Sequence, residues 1–250
     1  MSDISAHLAE LDAIRCWRDM YRSEMNCQII HDSIHGRPGW TREYELRRGS
    51  TRVGYGSVAI AGPWAGKPTI YEFYVIPSHR SHVFELFDAL LDASSATAME
   101  VQTNDPLATV MLHAFAREVS TDALLFHDRL TTAHAPPGVV FREALAAEAT
   151  DTAPDALRWR GVVEVDGKVA AAGGILFHYN RPYGDIYMHV NESVRRRGLG
   201  TFIVQELKRV CYEGGHVPGA RCNPANLASR RTLQRAGFVP CGHVLCGRLG

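Results

Sequence analysis

The stretch YGDIYMHVNESVRRRGLGT, residues 183–201, is the most informative part of the sequence about the fold. Its first eight residues alternate in the way that is typical of a β-strand, and apolar residues at helical spacing follow further along the chain. The stretch therefore predicts a strand, a short loop and a helix that begins near Leu199. Gly198 and Gly200 allow the chain to curl at the start of that helix, so that several peptide N–H groups can point to one place.

This loop is a candidate anion site, because the start of a helix carries the positive end of the helix dipole. Arg195, Arg196 and Arg197 add positive charge beside it. A Walker-type phosphate loop would need Gly-Lys-Ser/Thr, which is absent, and the dinucleotide fingerprint would need a glycine where Ile203 stands. The pattern Arg-x-x-Gly-x-Gly thus predicts a pyrophosphate cradle, and the alternative is a turn with a solvated basic face.

A second polar segment, NPANLAS at residues 223–229, lies between a predicted strand over 217–222 and a predicted helix over 226–235. Asparagine is a common helix cap, which is the simple structural role for Asn223 or Asn226. The second asparagine, and Ser229 one turn further on, can also bind a polar ligand that lies beside the helix.

Residues 190–238, which contain the arginine-glycine loop and the asparagine segment, resemble the GNAT superfamily of acyl-CoA N-acyltransferases. Arg195-x-x-Gly198-x-Gly200 is similar to the pyrophosphate loop of that family. Asn223 and Asn226, followed by Ala236-Gly237-Phe238, are similar to its second cofactor segment. The resemblance implies an α/β fold of the GNAT type, with mixed twisted sheets flanked by helices.

The resemblance also implies acetyl-CoA as cosubstrate and one cofactor site, in the C-terminal half. In this family two neighbouring strands splay apart, and the pantetheine arm lies between them as a false strand. The cofactor-binding residues expected on this basis are Met188, His189, Val190, Arg195, Arg196, Arg197, Gly198, Leu199, Gly200, Thr201, Asn223, Asn226 and Ser229.

The acceptor amine must lose a proton before it attacks a thioester. Strand alternation places Asp185, Tyr187 and His189 on one face of the strand. We expect Asp185 to be the general base, and the alternative is a solvent-facing or capping aspartate beside Gly184. A lone strand histidine such as His189 is more often structural.

The proton donor for the departing thiolate is less clear from the sequence. The family often supplies a tyrosine where this chain has Leu233. Tyr183, Tyr187 or Cys222 can take its place, and we place Tyr187 with Asp185 among the catalytic residues. An acyl-cysteine at Cys222 is an alternative route, although a small apolar wall residue is the simpler interpretation.

The first half resembles a degenerate copy of the second. Val75 stands where Val190 stands, and Arg80 keeps the place of Arg195, but Glu85 replaces the second glycine. We therefore expect a degenerate GNAT-like domain over residues 1–130, a linker over 131–138 and an acyl-CoA-binding domain over 139–250. One α/β domain with an elaborate N-terminal extension is the alternative.

The local patterns predict helices over residues 4–30, 82–93, 107–115, 143–149, 199–212 and 226–235. Strands are predicted over the intervening segments, including 69–76, 123–127, 168–177 and 238–249. The aromatic cluster Tyr71, Phe73 and Tyr74 is expected in the core.

Composition limits the remaining choices. The chain has 250 residues with 27 basic and 27 acidic side chains, so it offers no basic footprint for nucleic acid. It has neither a secretory start nor an apolar run of about 20 residues, and its six cysteines lack metal-site spacing. We expect a cytoplasmic protein away from membranes, without a metal and with a possible homodimer.

The function expected from the resemblance is N-acetyl transfer from acetyl-CoA to a small-molecule amine or amino acid by direct attack. Two alternatives stay open: the same chemistry on a protein or peptide amine, and an acyl-CoA sensor that has lost catalysis.

Overall fold

The computed structural model describes residues 3–30, 32–145, 148 and 158–250. The chain forms two compact units. The first comprises Met1–Cys27, Asp32–Asp122 and His243–Gly250, and the second comprises Gln28–His31 and Ala123–Gly242.

The first unit is a mixed sheet with three helices. Its elements are β1 (Ile4–Ala9), α1 (Leu11–Met25), β2 (Thr41–Arg48), β3 (Thr51–Ala59), β4 (Thr69–Val75), α2 (Val83–Ser94), β5 (Ala98–Gln102), α3 (Pro106–Phe115), the start of β6 (Ala116–Asp128) and the end of β12 (Phe238–Leu249). The strand order begins β1-β2-β3-β4-β5-β12. Only β4 and β5 run parallel among the first five strands.

The predicted helix over residues 4–30 is wrong at its N-terminal end. Residues 4–9 form β1, which pairs with β2 from Ile4↔Arg48 to Ala9↔Glu43, and the helix begins only at Leu11. Leu8 fits the helical spacing but is 69% exposed. The partner strand β2 lies more than thirty residues further along the chain. The local spacing of apolar residues therefore could not indicate that residues 4–9 pair with it.

The core of the first unit lies between α2 and the central strands. Phe87 on α2 meets Phe73 on β4 edge to face, with ring centroids 4.9 Å apart. The aromatic cluster Tyr71, Phe73 and Tyr74 is buried, as predicted. These large apolar contacts account for the helical spacing of α2, whose buried residues recur every three or four positions.

Within its described residues, the second unit is a mixed sheet with two α-helices. Its elements are the end of β6, β7 (Val139–Glu143), β8 (Arg158–Val165), β9 (Lys168–Leu176), β10 (Tyr183–Val190), α4 (Leu199–Glu213), β11 (Val217–Cys222), α5 (Leu227–Arg235) and the start of β12. The strand order is β6-β11-β10-β9-β8-β7. β7 ends at Glu143, so the helix predicted over 143–149 is wrong at its start: residue 143 is in the strand and residues 144 and 145 have no regular structure, while residues 146, 147 and 149 lie outside the described residues.

Each unit contains a strand segment from the opposite half of the chain. β6 enters the second unit and pairs with β11, from Cys222↔Leu124 to Gly219↔His127. The end of β12 belongs to the first unit and pairs with β5, from Val244↔Gln102 to Arg248↔Ala98. The boundaries of the two compact units therefore do not coincide with the linker predicted at residues 131–138.

The helices are short and amphipathic. The two longest, α1 and α4, have 15 residues each, whereas a membrane-spanning helix needs about 20 apolar residues. Across the described ranges, no helix is long and apolar enough to cross a membrane.

Candidate cofactor and active site

The site begins where β10 and β11 part. Their parallel pairing runs from Tyr183↔Val217 to Ile186↔Ala220 and then stops. β10 nevertheless stays paired with β9 through Val190↔Ala171. In the part of the chain that the structure describes, residues 187–190 thus have no partner strand on the β11 side, and a cleft opens between the two strands.

A cavity of about 170 Å³ occupies this cleft. Of the residues predicted to bind the cofactor, Met188, Asn223, Asn226 and Ser229 line it, as does the predicted catalytic residue Tyr187. Ile186, Arg221, Cys222 and Leu233 complete the lining. The structure therefore brings together two sequence segments that lie more than thirty residues apart.

Helix α4 packs beneath β10 and starts at the end of the cleft. A Cβ added at Gly184 would lie 3.0 Å from Cys211 Sγ, so this glycine keeps α4 close to the strand. A Cβ added at Gly200 would lie 3.2 Å from Thr232 Cγ2 and 3.5 Å from Val190 Cγ2. The first turn of α4 thus lies between the end of β10 and α5.

The loop before α4 is curled as its glycines predict. Arg196 and Gly198 both have left-handed backbones, with φ of 64° and 82°. Phe202 N–H donates to Gly198 O at 3.1 Å, which is the first bond of the helix. The N–H groups of residues 199–201 precede that bond and have no helical carbonyl to meet. They are therefore available to an anion.

The side chains of this loop divide into two kinds. Leu199 and Thr201 are buried, so only their backbone amides can reach a ligand. Arg195 is half-exposed: its Nε donates to Val190 O at 3.2 Å, and its Nη1 lies 3.1 Å from Glu192 Oε1. Arg196 and Arg197 are exposed. The predicted cradle thus combines free amides with three arginines.

The two asparagines support the start of α5. Asn226 is its N-cap, and its Oδ1 accepts from Ser229 N–H at 3.0 Å. Asn223 Oδ1 accepts from Ala225 N–H at 2.8 Å. With that oxygen used in the cap, Asn226 can still offer its amide N–H₂ to a ligand in the cavity.

Asp185 is buried rather than solvent-facing, with 4% of its surface exposed. Its Oδ2 lies 3.2 Å from Arg221 Nε on the neighbouring strand. The Arg221 guanidinium stacks over the ring of Tyr179, 4.8 Å from its centroid, and donates to the tyrosine hydroxyl. Sequence reasoning missed Arg221, although its position two residues after Gly219 on β11 puts it on the Asp185 face.

The other residues on this face of β10 differ in exposure. The Tyr187 ring lies over Gly174 of β9, where an added Cβ would be 2.7 Å from the tyrosine hydroxyl. The glycine therefore makes room for the ring. His189 is exposed at the edge of the strand.

Cys222 lines the cavity, but its environment does not favour a thiolate. Burial raises the pKa of the Cys222 thiol, against a smaller opposing effect of its hydrogen bond with Ser229. A nucleophilic cysteine needs the opposite shift, so the geometry disfavours the acyl-cysteine route. Leu233 is buried beside it and offers no proton.

Lys208 anchors the corner that follows α5, and sequence reasoning missed it. This buried ammonium lies 2.7 Å from Asp128 Oδ1 and donates to Leu130 O at 2.9 Å and Ala236 O at 2.7 Å. A Cβ added at Gly237 would lie 1.9 Å from Leu130 O. The Ala-Gly-Phe segment therefore has a packing reason for its glycine.

Comparisons with known proteins agree with this geometry. The model of the acetyltransferase (GNAT) family matches residues 127–238. No curated protein matches the sequence.

Among solved structures, the chain is similar to a GNAT-family acetyltransferase from Colwellia psychrerythraea, with a TM-score of 0.75 and 16% identity over 98% of this chain and 100% of that one. It is also similar to a tandem GNAT protein from the clavulanic acid biosynthesis pathway, with a TM-score of 0.65 and 14% identity over 100% and 99%. A GCN5-related N-acetyltransferase from Sphaerobacter thermophilus gives 0.59 and 14% over 98% and 95%.

At these identities the solved structures establish the fold alone. The family match is a match of sequence, and it lies within the second unit. That match contains β10, the curled loop, α4, β11 and α5, which are the elements around the cavity. The acetyltransferase (GNAT) family match thus covers residues 127–238, a little under half of the chain, and the fold of the whole chain is that of solved GNAT-family structures.

Proposed function

We propose that this protein transfers an acetyl group from acetyl-CoA to the primary amine of a small molecule or amino acid by direct attack. The observation that carries the proposal is the parting of β10 from β11 after Ile186↔Ala220, next to a loop with free amides. One cleft thus offers unpaired strand edges at one end and an anion cradle at the other.

The cleft fits the cosubstrate in two ways. The pantetheine arm contains two amides, and the backbone of Met188, His189 and Val190 can pair with it as a neighbouring strand would. The diphosphate needs N–H donors and positive charge, which the first turn of α4 and Arg195 supply.

Asp185 is the proposed general base. It lies on the face of β10 directed away from α4, one alternation from Tyr187 in the cavity lining. Arg221 fixes its orientation at 3.2 Å. A carboxylate held in this way accepts the proton of the incoming ammonium group, directly or through water, before the amine attacks the thioester carbon.

The departing thiolate needs a proton in place of the one that the family tyrosine supplies. We propose Tyr187, because it lines the cavity while Leu233 cannot donate. Cys222 remains a thiol at neutral pH, because burial raises its pKa, and it is the second candidate.

A small acceptor is favoured over a protein by burial. The carboxylate of Asp185 is buried and is not itself part of the cavity lining, so an amine must enter the cleft to approach it. A lysine on a folded protein surface would have to insert its whole side chain.

The test is turnover of acetyl-CoA with a panel of amines by the wild type, Asp185→Asn and Asp166→Asn. The last is a matched control in the β8–β9 turn. We expect Asp185→Asn to lower kcat by about 100-fold, in the range for loss of general base catalysis, with CoA affinity within about twofold of wild type. Unchanged turnover would show that Asp185 is not the base.

Leu233 motivates one alternative, an acyl-CoA sensor without catalysis. It fills the position where an acid would stand and is buried in the cavity wall. CoA binding without turnover on any amine of the panel would favour the sensor and overturn the transferase.

A further inference from the structure

The segment before β7 runs along helix α4 and is fastened to it. Leu130 O accepts from Lys208 Nζ at 2.9 Å. Further along, Thr132 Oγ1 accepts from Gln205 Nε2, and His134 N–H donates to Gln205 Oε1 at 3.1 Å. We call residues 130–134 the linker strap. One glutamine side chain thus holds it through both its oxygen and its nitrogen.

The strap ends at the curled loop. A Cβ added at Gly198 would lie 2.0 Å from His134 Nε2 and 3.0 Å from two carbons of the ring. The imidazole therefore packs directly against the backbone of Gly198, which is the N-cap of α4. The missing side chain serves two purposes here: it allows φ of 82°, and it leaves the place that the histidine ring fills.

The other supports of the loop lie nearer its start, where Asn191 N–H donates to Ala170 O at 3.0 Å and its side-chain amide donates to Val169 O at 2.9 Å. Arg195 ties the loop to Val190 O and lies near the exposed Glu192. Two of its residues are left-handed, and one of them, Arg196, pays a conformational cost because it carries a side chain. A loop of this kind keeps its amides aimed at one point only if neighbouring groups limit its motion.

We infer that the linker strap positions the diphosphate cradle, with Gln205 and His134 as positioning residues for acyl-CoA binding. The inference rests on the proposed function. Gln205 holds the strap, His134 packs against Gly198, and the loop then presents the amides of residues 199–201 to the diphosphate.

If the strap is loosened, we expect only the binding of the diphosphate part of the ligand to weaken. A donor that carries the diphosphate depends on the cradle, whereas S-acetylpantetheine lacks it and depends only on the strand edges of the cleft. Release of the strap therefore weakens CoA binding and leaves the use of the truncated donor unchanged.

The experiment compares Gln205→Ala and His134→Ala with the wild type in the full chain. Arg209→Ala is the matched control on α4, since Arg209 donates hydrogen bonds to Glu206 and Glu213 of the same helix. The measurements are the Kd of CoA by calorimetry, the KM for S-acetylpantetheine, and hydrogen exchange of the amides of residues 132–134.

We expect both strap variants to raise the Kd of CoA by about threefold to tenfold, which corresponds to one or two lost hydrogen bonds or contacts. Gln205→Ala also speeds exchange of the strap amides, and Arg209→Ala changes neither quantity. The KM for S-acetylpantetheine stays at the wild-type value in all three.

Three results would overturn the inference. CoA affinity that is unchanged while strap exchange rises would show that the strap does not position the cradle. Tighter CoA binding in His134→Ala would show that the ring obstructs the site. Equal losses for both donors would indicate a general structural role. In each case the wild type still binds CoA and turns over S-acetylpantetheine, so the proposed function stands; a wild type that does neither overturns both.

Discussion

The loop after β4 in the first unit and the loop after β10 in the second begin with the same contact. Arg80 Nε donates to Val75 O at 2.9 Å, and Arg195 Nε donates to Val190 O at 3.2 Å. In both loops the carbonyl lies five residues before the arginine. The geometry thus agrees with the predicted alignment of Arg80 with Arg195.

Beyond this contact the two loops differ in charge. Arg80 Nη1 lies 2.7 Å from Glu24 Oε1, and its guanidinium is 5.5 Å from the centre of the Tyr74 ring. Arg195 has an exposed partner, Glu192, and is itself half-exposed. The guanidinium of Arg80 is therefore occupied by contacts within the first unit, whereas that of Arg195 can still bind a ligand.

The helix starts differ as well. α4 begins after the left-handed Gly198, but α2 begins after His82, whose φ is −113°. Glu85 lies in the first turn of α2 and opposes an anion there. The curl that frees backbone amides is therefore present only in the second unit.

The parting of strands, by contrast, is common to both units. Among the described residues, β4 pairs with β5 at Thr69↔Ala98 and Ile70↔Met99 and then parts from it. In the first unit, buried Tyr21 of α1 contacts Tyr74 of β4, with ring centroids 6.0 Å apart, and interacts with Asp105 just after β5. A side chain of the unit itself thus fills the gap. Splayed strands thus belong to the fold of both units, while a ligand site also needs an empty gap and a glycine loop.

The largest expected effect concerns this filling. Tyr21→Ala removes a buried ring that bridges two strands, and we expect it to lower the free energy of unfolding by about 3–4 kcal/mol. Urea denaturation measures the change. Tyr212→Ala is the control, because Tyr212 is half-exposed on α4, and it should cost less than about 1 kcal/mol. Similar losses in both variants would contradict the role given to Tyr21.

The next effect converts the second loop toward the first. Gly200→Glu places a carboxylate in the first turn of α4, as Glu85 does in α2, and we expect the Kd of CoA to rise by about 100-fold through charge repulsion. Calorimetry measures it. Gly200→Ala controls for size, since an added Cβ meets only Thr232 and Val190 at 3.2 Å and 3.5 Å. Glu85→Gly should create no second CoA site, because the gap in the first unit is filled. A stoichiometry of two CoA molecules per chain would contradict this difference between the units.

The smallest effect tests the buried charges of the first unit. His35 lies 2.8 Å from Glu43 Oε1 through Nδ1 and 3.2 Å from Glu72 Oε1 through Nε2. Burial would lower its pKa, but Glu72 and Glu43 overcome that effect and raise the pKa to about 9. Its folded pKa exceeds the unfolded value, so the protonated ring stabilises the unit below about pH 6.5.

That stabilisation is lost as pH rises through about 9, and we expect a loss of about 2 kcal/mol between pH 6.5 and pH 9.5. Urea denaturation at several pH values measures it, and His35→Gln should flatten this part of the profile. A wild-type profile that stays level across the same range would show that the ring is not charged in the fold.

The elements around the cavity, and the resemblance of residues 190–238 to the GNAT family, could be predicted from the sequence. β10 and β11 have the predicted ends, and α4 begins at the predicted residue, because alternation, helical spacing and glycines are local signals. Asn226 caps α5, which is a local effect too. The motif residues were recognisable for the same reason: an anion cradle is built from one short segment.

The contacts between distant segments could not be predicted from the sequence and are visible only in the tertiary structure. β1 is a strand because β2 pairs with it, and β6 and β12 each cross from one unit to the other. The pairing of Asp185 with Arg221, the burial of Lys208 and the placement of His134 on Gly198 join residues that are 28 to 78 positions apart or lie on different elements. Hydrogen bonds and ion pairs act over a few ångströms in space, and separation along the chain gives no sign of which groups folding will bring that close.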